Sequence, residues 1–455
     1  MYPKKLKVAK VIPIHKGGRK DIAGNYRPIS LLSPLNKILE KVIAMRLTSF
    51  LTKVNFFSKK QFAYLKGVGT TIAITELVDK IYAGLDDSNI VTGLFIDFSK
   101  AFDCLSHDIL INKLENAGIR GPCLTLIRSY LSERSQAVDI NGITGEEKLL
   151  KYGVPQGSVL GPILFLVYVN DINQLELNGD IWIFADDTSL IYQSDRAEQN
   201  VHAMQSDIRQ LEAYWAFNQL SANALKTTYV HFKSPNKNLD STPGVIMHNT
   251  TIASSRVVKF LGVEIDQNLD WKTHILHVRK QLALIIGKLV ATRKFLPSSA
   301  MKNVYTGLFQ SKLLYGIESY GTAYKTNLEC LQVAQNRVLK LMFKLAHLHP
   351  TLELYNKPDS FMPVRALADF RSLLLFFKII NGRTRTNLIF TRVSHQYINR
   401  RRSNYTVPQH RLNYGRKRLS VRAPQLWNNL RNEVSSIPAT IIGFRSIHQT
   451  SDTLE

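Results

Sequence analysis

The sequence predicts an α+β fold, with helices segregated from a small antiparallel sheet, followed by a helical and strongly basic second half. Three observations predict it. Short apolar runs of strand type lie at 90–98, 181–185, 189–192 and 228–232, among longer stretches of helical periodicity. The strand signal fades after about residue 270. The charge is lopsided: residues 1–255 hold 28 basic and 24 acidic side chains, whereas residues 256–455 hold 31 and 11.

Each element follows in order. Residues 1–28 are basic and marked by prolines. Leu35, Ile38, Leu39, Val42, Ile43, Leu47 and Leu51 recur at helical spacing, and a second helix is expected over 70–85. Strand 90–98 is followed by helices at 108–117 and 123–134. A hairpin is expected over 136–152, with Asn141-Gly142 at its turn. Residues 153–162 form a glycine and proline loop, and 163–172 reads as a buried helix. The strands at 181–185 and 189–192 make a hairpin with Asp186-Asp187 at its tip. Residues 196–217 form an amphipathic helix before strand 228–232. Helical patterns then dominate over 273–296, 298–315 and 326–345. The stretch from Arg383 to Arg422 holds eleven basic residues and no acid, interleaved with Phe390, Tyr397, Tyr405 and Tyr414.

Composition bounds the function. The chain has 455 residues, with 45% hydrophobic and 21% charged, so it is globular and long enough for about three folding units. A net charge of +24 favours a polyanionic partner. Cys104, Cys123 and Cys330 are too few and too scattered for a disulfide framework or zinc knuckle, and they fit a reducing intracellular compartment, nucleus or cytoplasm. The longest apolar run, 159–169, is broken by Gly161 and Pro162 and is too short to span a bilayer. Binding to an anionic membrane is disfavoured, because the basic stretch lacks a lipid-facing amphipathic helix.

The acids carry the chemistry. Asp97 ends one apolar strand, and Asp186 and Asp187 sit between two others. Adjacent carboxylates among apolar strands are costly unless a cation binds. Two Mg²⁺ ions about 4 Å apart would neutralise three such acids and clamp both oxygens of an in-line phosphoryl displacement. The plain alternative is that Asp-Asp simply favours a turn. Gly153, Pro155 and Gly157 flank Gln156 and permit close backbone approach. No Gly-Lys-Ser/Thr occurs, so this loop is no P-loop.

Six blocks in order resemble the reverse transcriptases of non-long-terminal-repeat (LINE-type) retrotransposons, close to the jockey-type elements. They are Asn25-Tyr26-Arg27-Pro28-Ile29-Ser30-Leu31-Leu32, the Asp97-Phe98-Ser99-Lys100-Ala101-Phe102-Asp103 block and Gly153-Val154-Pro155-Gln156-Gly157-Ser158. Phe184-Ala185-Asp186-Asp187, the 220–227 segment with Asn223, Lys226 and Thr227, and Phe260-Leu261-Gly262-Val263 follow. Gln335-Asn336-Arg337 and Pro424-Gln425-Leu426-Trp427-Asn428 resemble the family's carboxyl-terminal region. The resemblance covers nearly the whole chain.

The resemblance implies a right-hand polymerase: partial fingers at 1–90, a palm with an antiparallel sheet at 91–255, primer grip and helical thumb at 256–345, and a basic C-terminal region at 346–455. It implies an RNA-directed DNA polymerase using RNA template, DNA primer and deoxynucleoside triphosphates, with two Mg²⁺ ions, or Mn²⁺ in their place, on Asp97, Asp186 and Asp187. Phe102 matches the position that excludes a sugar 2′-hydroxyl. Gln156 matches the residue against the incoming nucleotide and template base. Lys16 and Arg27 match triphosphate contacts, and Lys226 matches the proton donor to pyrophosphate. Asp103 is expected as a local hydrogen-bond acceptor, and His107 carries no assigned chemistry. The basic second half is expected to follow the template–primer backbone.

The family also has an endonuclease ahead of the polymerase, for which there is no room before the fingers here, so the sequence reads as a fragment of a longer frame or a decayed copy. The 61–71 block departs from the family: Ala63, Leu65 and Gly69 stand for its Gly, Arg and Ser. No ribonuclease H acid set is evident. The alternative reading is therefore a catalytically inactive, truncated nucleic-acid-binding remnant.

Overall fold

The computed structural model describes residues 1–98, 101–239, 241–355, 361–393 and 405–433, the side chains at 298, 299 and 431–433 excepted. Ser99, Lys100, Tyr397 and Arg400–Arg402 from the motifs above lie outside the described residues.

The proline-marked N-terminus is a hairpin, which the sequence pattern did not announce. Strand β1 (Val8–His15) pairs antiparallel with β2 (Tyr26–Leu31), and Pro13 stands opposite Pro28. Prolines weaken a strand signal because they cannot donate to the ladder. Ser33 caps α1 (Pro34–Lys53), its hydroxyl accepting the Asn36 N–H at 3.1 Å. The apolar positions of α1 wrap wider than one face. Leu47 and Leu51 are buried, whereas Leu35, Ile38 and Val42 are exposed.

Helix α2 (Thr70–Asp86) leads to β3 (Ile90–Ile96), buried at every position. Helices α3 (His107–Asn116) and α4 (Gly121–Leu131) precede β4 (Arg134–Ile140), which joins β1 in parallel. Asn141 and Gly142, both at positive φ, turn the chain into β5 (Ile143–Thr144), and β6 (Lys148–Leu150) returns along the start of β4. After α5 (Gly161–Val169) come β7 (Asp180–Phe184), β8 (Asp187–Ser194), α6 (Ala197–Phe217) and β9 (Thr228–Phe232). Short strands β10 (Ile246–Met247), β11 (Thr250–Thr251) and β12 (Ala253–Ser254) lead to a hairpin of β13 (Val257–Phe260) and β14 (Val263–Asp266).

The central sheet has the order β12-β9-β3-β8-β7. Its β9, β3, β8 and β7 neighbours are antiparallel, and β12 joins the edge in parallel. Alternation splits β3 between two cores. Leu94 and Ile96 pack with Met204, Ile208 and Leu211 of α6, while Val91 and Phe95 pack with Leu77 and Ile81 of α2.

The rest is helical: α7 (Lys272–Thr292), α8 (Ser298–Val304), a π turn at Tyr305–Gln310, α9 (Ser311–Leu314), α10 (Ile317–Tyr320), α11 (Lys325–Met342) and α12 (Val364–Ile380). The single helix expected over 298–315 is thus interrupted by the π turn. Gly316, at φ 74, then reorients the chain into α10.

The C-terminal segment, with α13 (Asn413–Lys417) and α14 (Leu419–Glu433), closes back onto α2. Three buried acids on α2 hold it. Glu76 accepts from Thr386 Oγ1 at 2.6 Å and the Asn387 N–H at 2.8 Å. Asp79 accepts from the N–H and hydroxyl of Ser420, both at 2.9 Å. Asp86 accepts the N–H groups of Leu412 at 2.6 Å and of Arg411 and Gly415 at 3.2 Å. For Arg418 and Arg422 the expected contact with nucleic acid gives way to protein partners. Arg418 pairs with Asp79, and Arg422 donates to the Glu318 carbonyl and Ser372 Oγ. Buried cations need such partners.

Asp86→Ala leaves three N–H groups without their acceptor and is expected to lower unfolding free energy by about 3 kcal/mol in denaturant titration. Exposed Asp87→Ala should cost less than about 0.5 kcal/mol.

Candidate active site

Strand register builds the site. Ile96 opposes Thr188 in the last pair of β3 and β8, so one step on Asp97 comes opposite Asp187. Phe184 pairs with Asp187, leaving Ala185-Asp186 as the two-residue tip of the β7–β8 hairpin. Ala185 takes a left-handed conformation, φ 56, which costs a non-glycine residue about 1 kcal/mol. The tip is held from outside: Gln61 Oε1 accepts the Ala185 N–H at 3.3 Å, and Phe62 N and Lys60 O bond both sides of Ile183 at 2.9 Å.

The backbone of Asp97 is held on both sides. Its carbonyl accepts the Asn223 N–H at 2.7 Å, and its N–H donates to Thr227 Oγ1 at 3.4 Å. The same segment carries Lys226, whose Nζ lies 3.8 Å from Asp97 Oδ2. Asp97, Asp187 and Lys226 line one cleft of about 330 Å³ with Val258, Lys259 and Leu261 of the β13–β14 hairpin. Leu261 and Gly262, both at positive φ, make that hairpin's turn, and Tyr315 Oη donates to the Leu261 carbonyl at 2.6 Å.

The acids disturb one another. Desolvation pushes the Asp187 carboxyl up to about 6, helped by the charges of Asp186 and Asp97. Desolvation also raises Asp186; Asp97 adds to the rise, while Arg27 and Lys16 oppose it. Lys16 and Arg27 therefore face the site electrostatically from the β1–β2 hairpin, both exposed. No three His, Cys, Asp or Glu side chains among the described residues converge closely enough to enclose a metal ion. The donor chemistry nevertheless suits a hard divalent cation: carboxylate oxygens only, with mutual repulsion that such a charge relieves.

Gln156 is held in a loop of its own. Its Nε2 donates to both Asp103 oxygens, at 2.9 and 3.0 Å, and its carbonyl accepts the Ser30 N–H at 2.7 Å. Asp103 is thus an acceptor, here for a side chain 53 residues away and not only for a local group. His107 Nε2 lies 2.8 Å from the Gly153 carbonyl, a contact that ties α3 to the same loop. Phe102 is half-buried and stacks on Phe165, with centroids 4.5 Å apart.

Sequence reasoning missed three supports. Glu40, fully buried on α1, accepts from Asn36, Tyr130 and the Val159 N–H, fixing the start of α5 behind the Gln156 loop. Gln61 and Thr227 brace the two acid-bearing turns. Gln61 and Thr227 lay within blocks already singled out, and Glu40 was an acid amid an apolar helix pattern. The departure at Leu65 also has a physical meaning: the side chain is buried in the core, where an arginine would bury an unpaired charge.

A reverse transcriptase (RNA-dependent DNA polymerase) family model matches residues 14–265, and the chain belongs to that family. It is 30% identical to the probable RNA-directed DNA polymerase from transposon BS of Drosophila melanogaster, over 74% of this chain and 38% of that protein. It is also 30% identical to the RNA-directed DNA polymerase from mobile element jockey of Drosophila melanogaster, with 74% and 38% covered. The chain thus spans under two fifths of the length of these curated relatives. The apo telomerase of Candida tropicalis is similar at TM-score 0.45 and 13% identity, covering 83% of this chain and 62% of that one. No described helix is long and apolar enough to cross a membrane.

The raised Asp187 pKa sets a pH dependence for the metal-free protein. Between the ordinary carboxylate value of 3.8 and about 6, the folded state binds more protons than the unfolded one. This carboxyl's contribution to stability therefore falls as pH rises through that window. Asp187→Asn should remove that part of the slope and raise the melting temperature of the metal-free chain at pH 7, measured by calorimetry from pH 4 to 8.

Proposed function

We propose that the chain is the polymerase portion of a non-long-terminal-repeat retrotransposon protein, extending a DNA primer with deoxynucleotides on an RNA template. The observation that carries this is Asp97 opposite Asp187 beside the Asp186 tip, in a cleft shared with the β13–β14 hairpin. Residues 1–90 serve as partial fingers, 91–255 as palm, 256–345 as primer grip and thumb, and 346–455 as the C-terminal region.

Asp97, Asp186 and Asp187 are the groups that would hold Mg²⁺, or Mn²⁺ in its place. Bound there, two such ions supply acidification of the primer 3′-hydroxyl and neutralisation of the triphosphate and leaving pyrophosphate. Lys16 and Arg27 bind the triphosphate from the fingers hairpin. Gln156 positions the incoming nucleotide against the template base. Phe102, backed by Phe165, occupies the space a 2′-hydroxyl needs, so deoxynucleotides are preferred. Lys226 gives its Nζ proton to the leaving pyrophosphate. Residues 260–263 hold the primer end.

A second reading, a nucleic-acid-binding remnant without turnover, is favoured by the departures at Ala63, Leu65 and Gly69 in the 61–71 block. Single-nucleotide incorporation on a primed RNA template with Mg²⁺ separates the two. The parent chain should extend the primer, and Asp186→Ala should lose at least about a thousandfold, the scale of losing a charge-stabilising group at the reacting centre. Equal extension by both sinks the polymerase reading. Salt-sensitive duplex binding with no extension by the parent supports the remnant.

A further inference from the structure

Gln156 is held through its backbone and through its side chain. Its main-chain carbonyl accepts the Ser30 N–H at 2.7 Å, tying it to β2. Gly157 follows at φ +113, and a Cβ there would lie 2.9 Å from the Ser30 carbonyl oxygen. The side chain reaches the other way, to the turn that carries Phe102. Asp103 Oδ1 and Oδ2 lie 2.9 and 3.0 Å from Nε2. The two segments are stitched by backbone as well. Val154 N donates to the Phe102 carbonyl at 2.9 Å, and Gly153 N donates to that of Leu105 at 2.8 Å. At Gly153 a Cβ would come within 2.6 Å of the Asp103 carbonyl oxygen.

An amide has two chemically opposite ends, and nothing in its own shape chooses between them. An ionised carboxylate only accepts, so Asp103 can bond the Nε2 end and repels the Oε1 end. We propose that Asp103 is a positioning residue for nucleotide selection: it fixes the flip of the Gln156 amide, with Nε2 turned inward and Oε1 turned away as an acceptor. Asp103 itself touches no substrate and acts through Gln156. The Val154 bond to the Phe102 carbonyl joins the Gln156 loop to the turn that also carries Asp103, so amide orientation and ring position are set by one turn. This rests on the polymerase reading, because that reading places Gln156 against the incoming nucleotide.

The test is a double-mutant cycle on deoxynucleoside triphosphate affinity, measured for the chain bound to template–primer with Ca²⁺ in place of Mg²⁺ so that no turnover is needed. Asp103→Ala and Gln156→Ala should each weaken nucleotide affinity about tenfold, the scale of one charge-assisted hydrogen bond. The double variant should be no weaker than Gln156→Ala alone. Asp103→Asn carries a donor as well as an acceptor, can meet either end of the Gln156 amide and should recover only part of the affinity, while template–primer affinity and melting temperature stay near the parent's in every variant. Independent, multiplying losses overturn the proposal, as does unchanged affinity in Asp103→Ala. A melting temperature or template–primer affinity that falls with the nucleotide affinity in Asp103→Ala, and is restored with it in Asp103→Asn, also overturns it, because the role is then structural. Incorporation with Mg²⁺ is read separately. A coupled cycle in a chain that incorporates nothing sinks the polymerase reading and leaves the positioning role standing; a chain that binds no nucleotide overturns both.

Discussion

Three carboxylates that repel one another are held at a single strand junction, and the surrounding structure is arranged around that constraint. Like charges opposed across neighbouring strands are destabilising, and partial burial strengthens the effect. Burial raises the carboxyl of Asp187, and the charges of Asp186 and Asp97 add to the rise. Ordinary strand pairing supplies the register, but register alone leaves the ends free to splay. The bonds from Asn223 and Thr227 fix one acid's backbone, and Gln61 fixes the strained turn before the other two. Lys226 and Lys259 line the cleft, and the charges of Lys16 and Arg27 reach Asp186 from the β1–β2 hairpin. That arrangement suits an anionic substrate whose approach needs a counter-charge on one side and cations on the other.

Buried acids also serve a second purpose in this chain, as acceptors for backbone N–H groups of distant segments. Glu40 does this for the start of α5, and Glu76, Asp79 and Asp86 do it for the C-terminal segment. Asp86 meets three backbone N–H groups and is satisfied by them. Asp97, by contrast, meets Lys226 only at the long distance of 3.8 Å, on an exposed side chain. The basic charge of the second half divides similarly. Arg418 and Arg422 are used within the protein, so the surface field comes from the others.

The central strands, the acid-bearing hairpin and α2, α6 and α11 were legible because each is a local pattern. An apolar run that stops at an acid marks Asp97 and Asp186, and heptad-like spacing marks α6. The β1–β2 hairpin was not legible, since opposed prolines mask alternation. Which face of α1 meets a neighbour was not legible either, because apolar spacing alone does not say. Glu40 and the α2 acids were invisible for a different reason: their long-range partners lie 90 to 341 residues away in sequence. No periodicity reports such contacts. The π turn at Tyr305–Gln310 likewise follows from packing of Tyr305 and Phe309 in the core.

The claim that the acid junction is built for divalent cations is tested most directly by counting bound Mn²⁺ with electron paramagnetic resonance, in the presence of template–primer and a deoxynucleotide. The account predicts two saturable ions per chain, and their loss in Asp97→Asn with the melting temperature preserved. Saturable binding that survives Asp97→Asn, or no saturable binding in the parent, would contradict it.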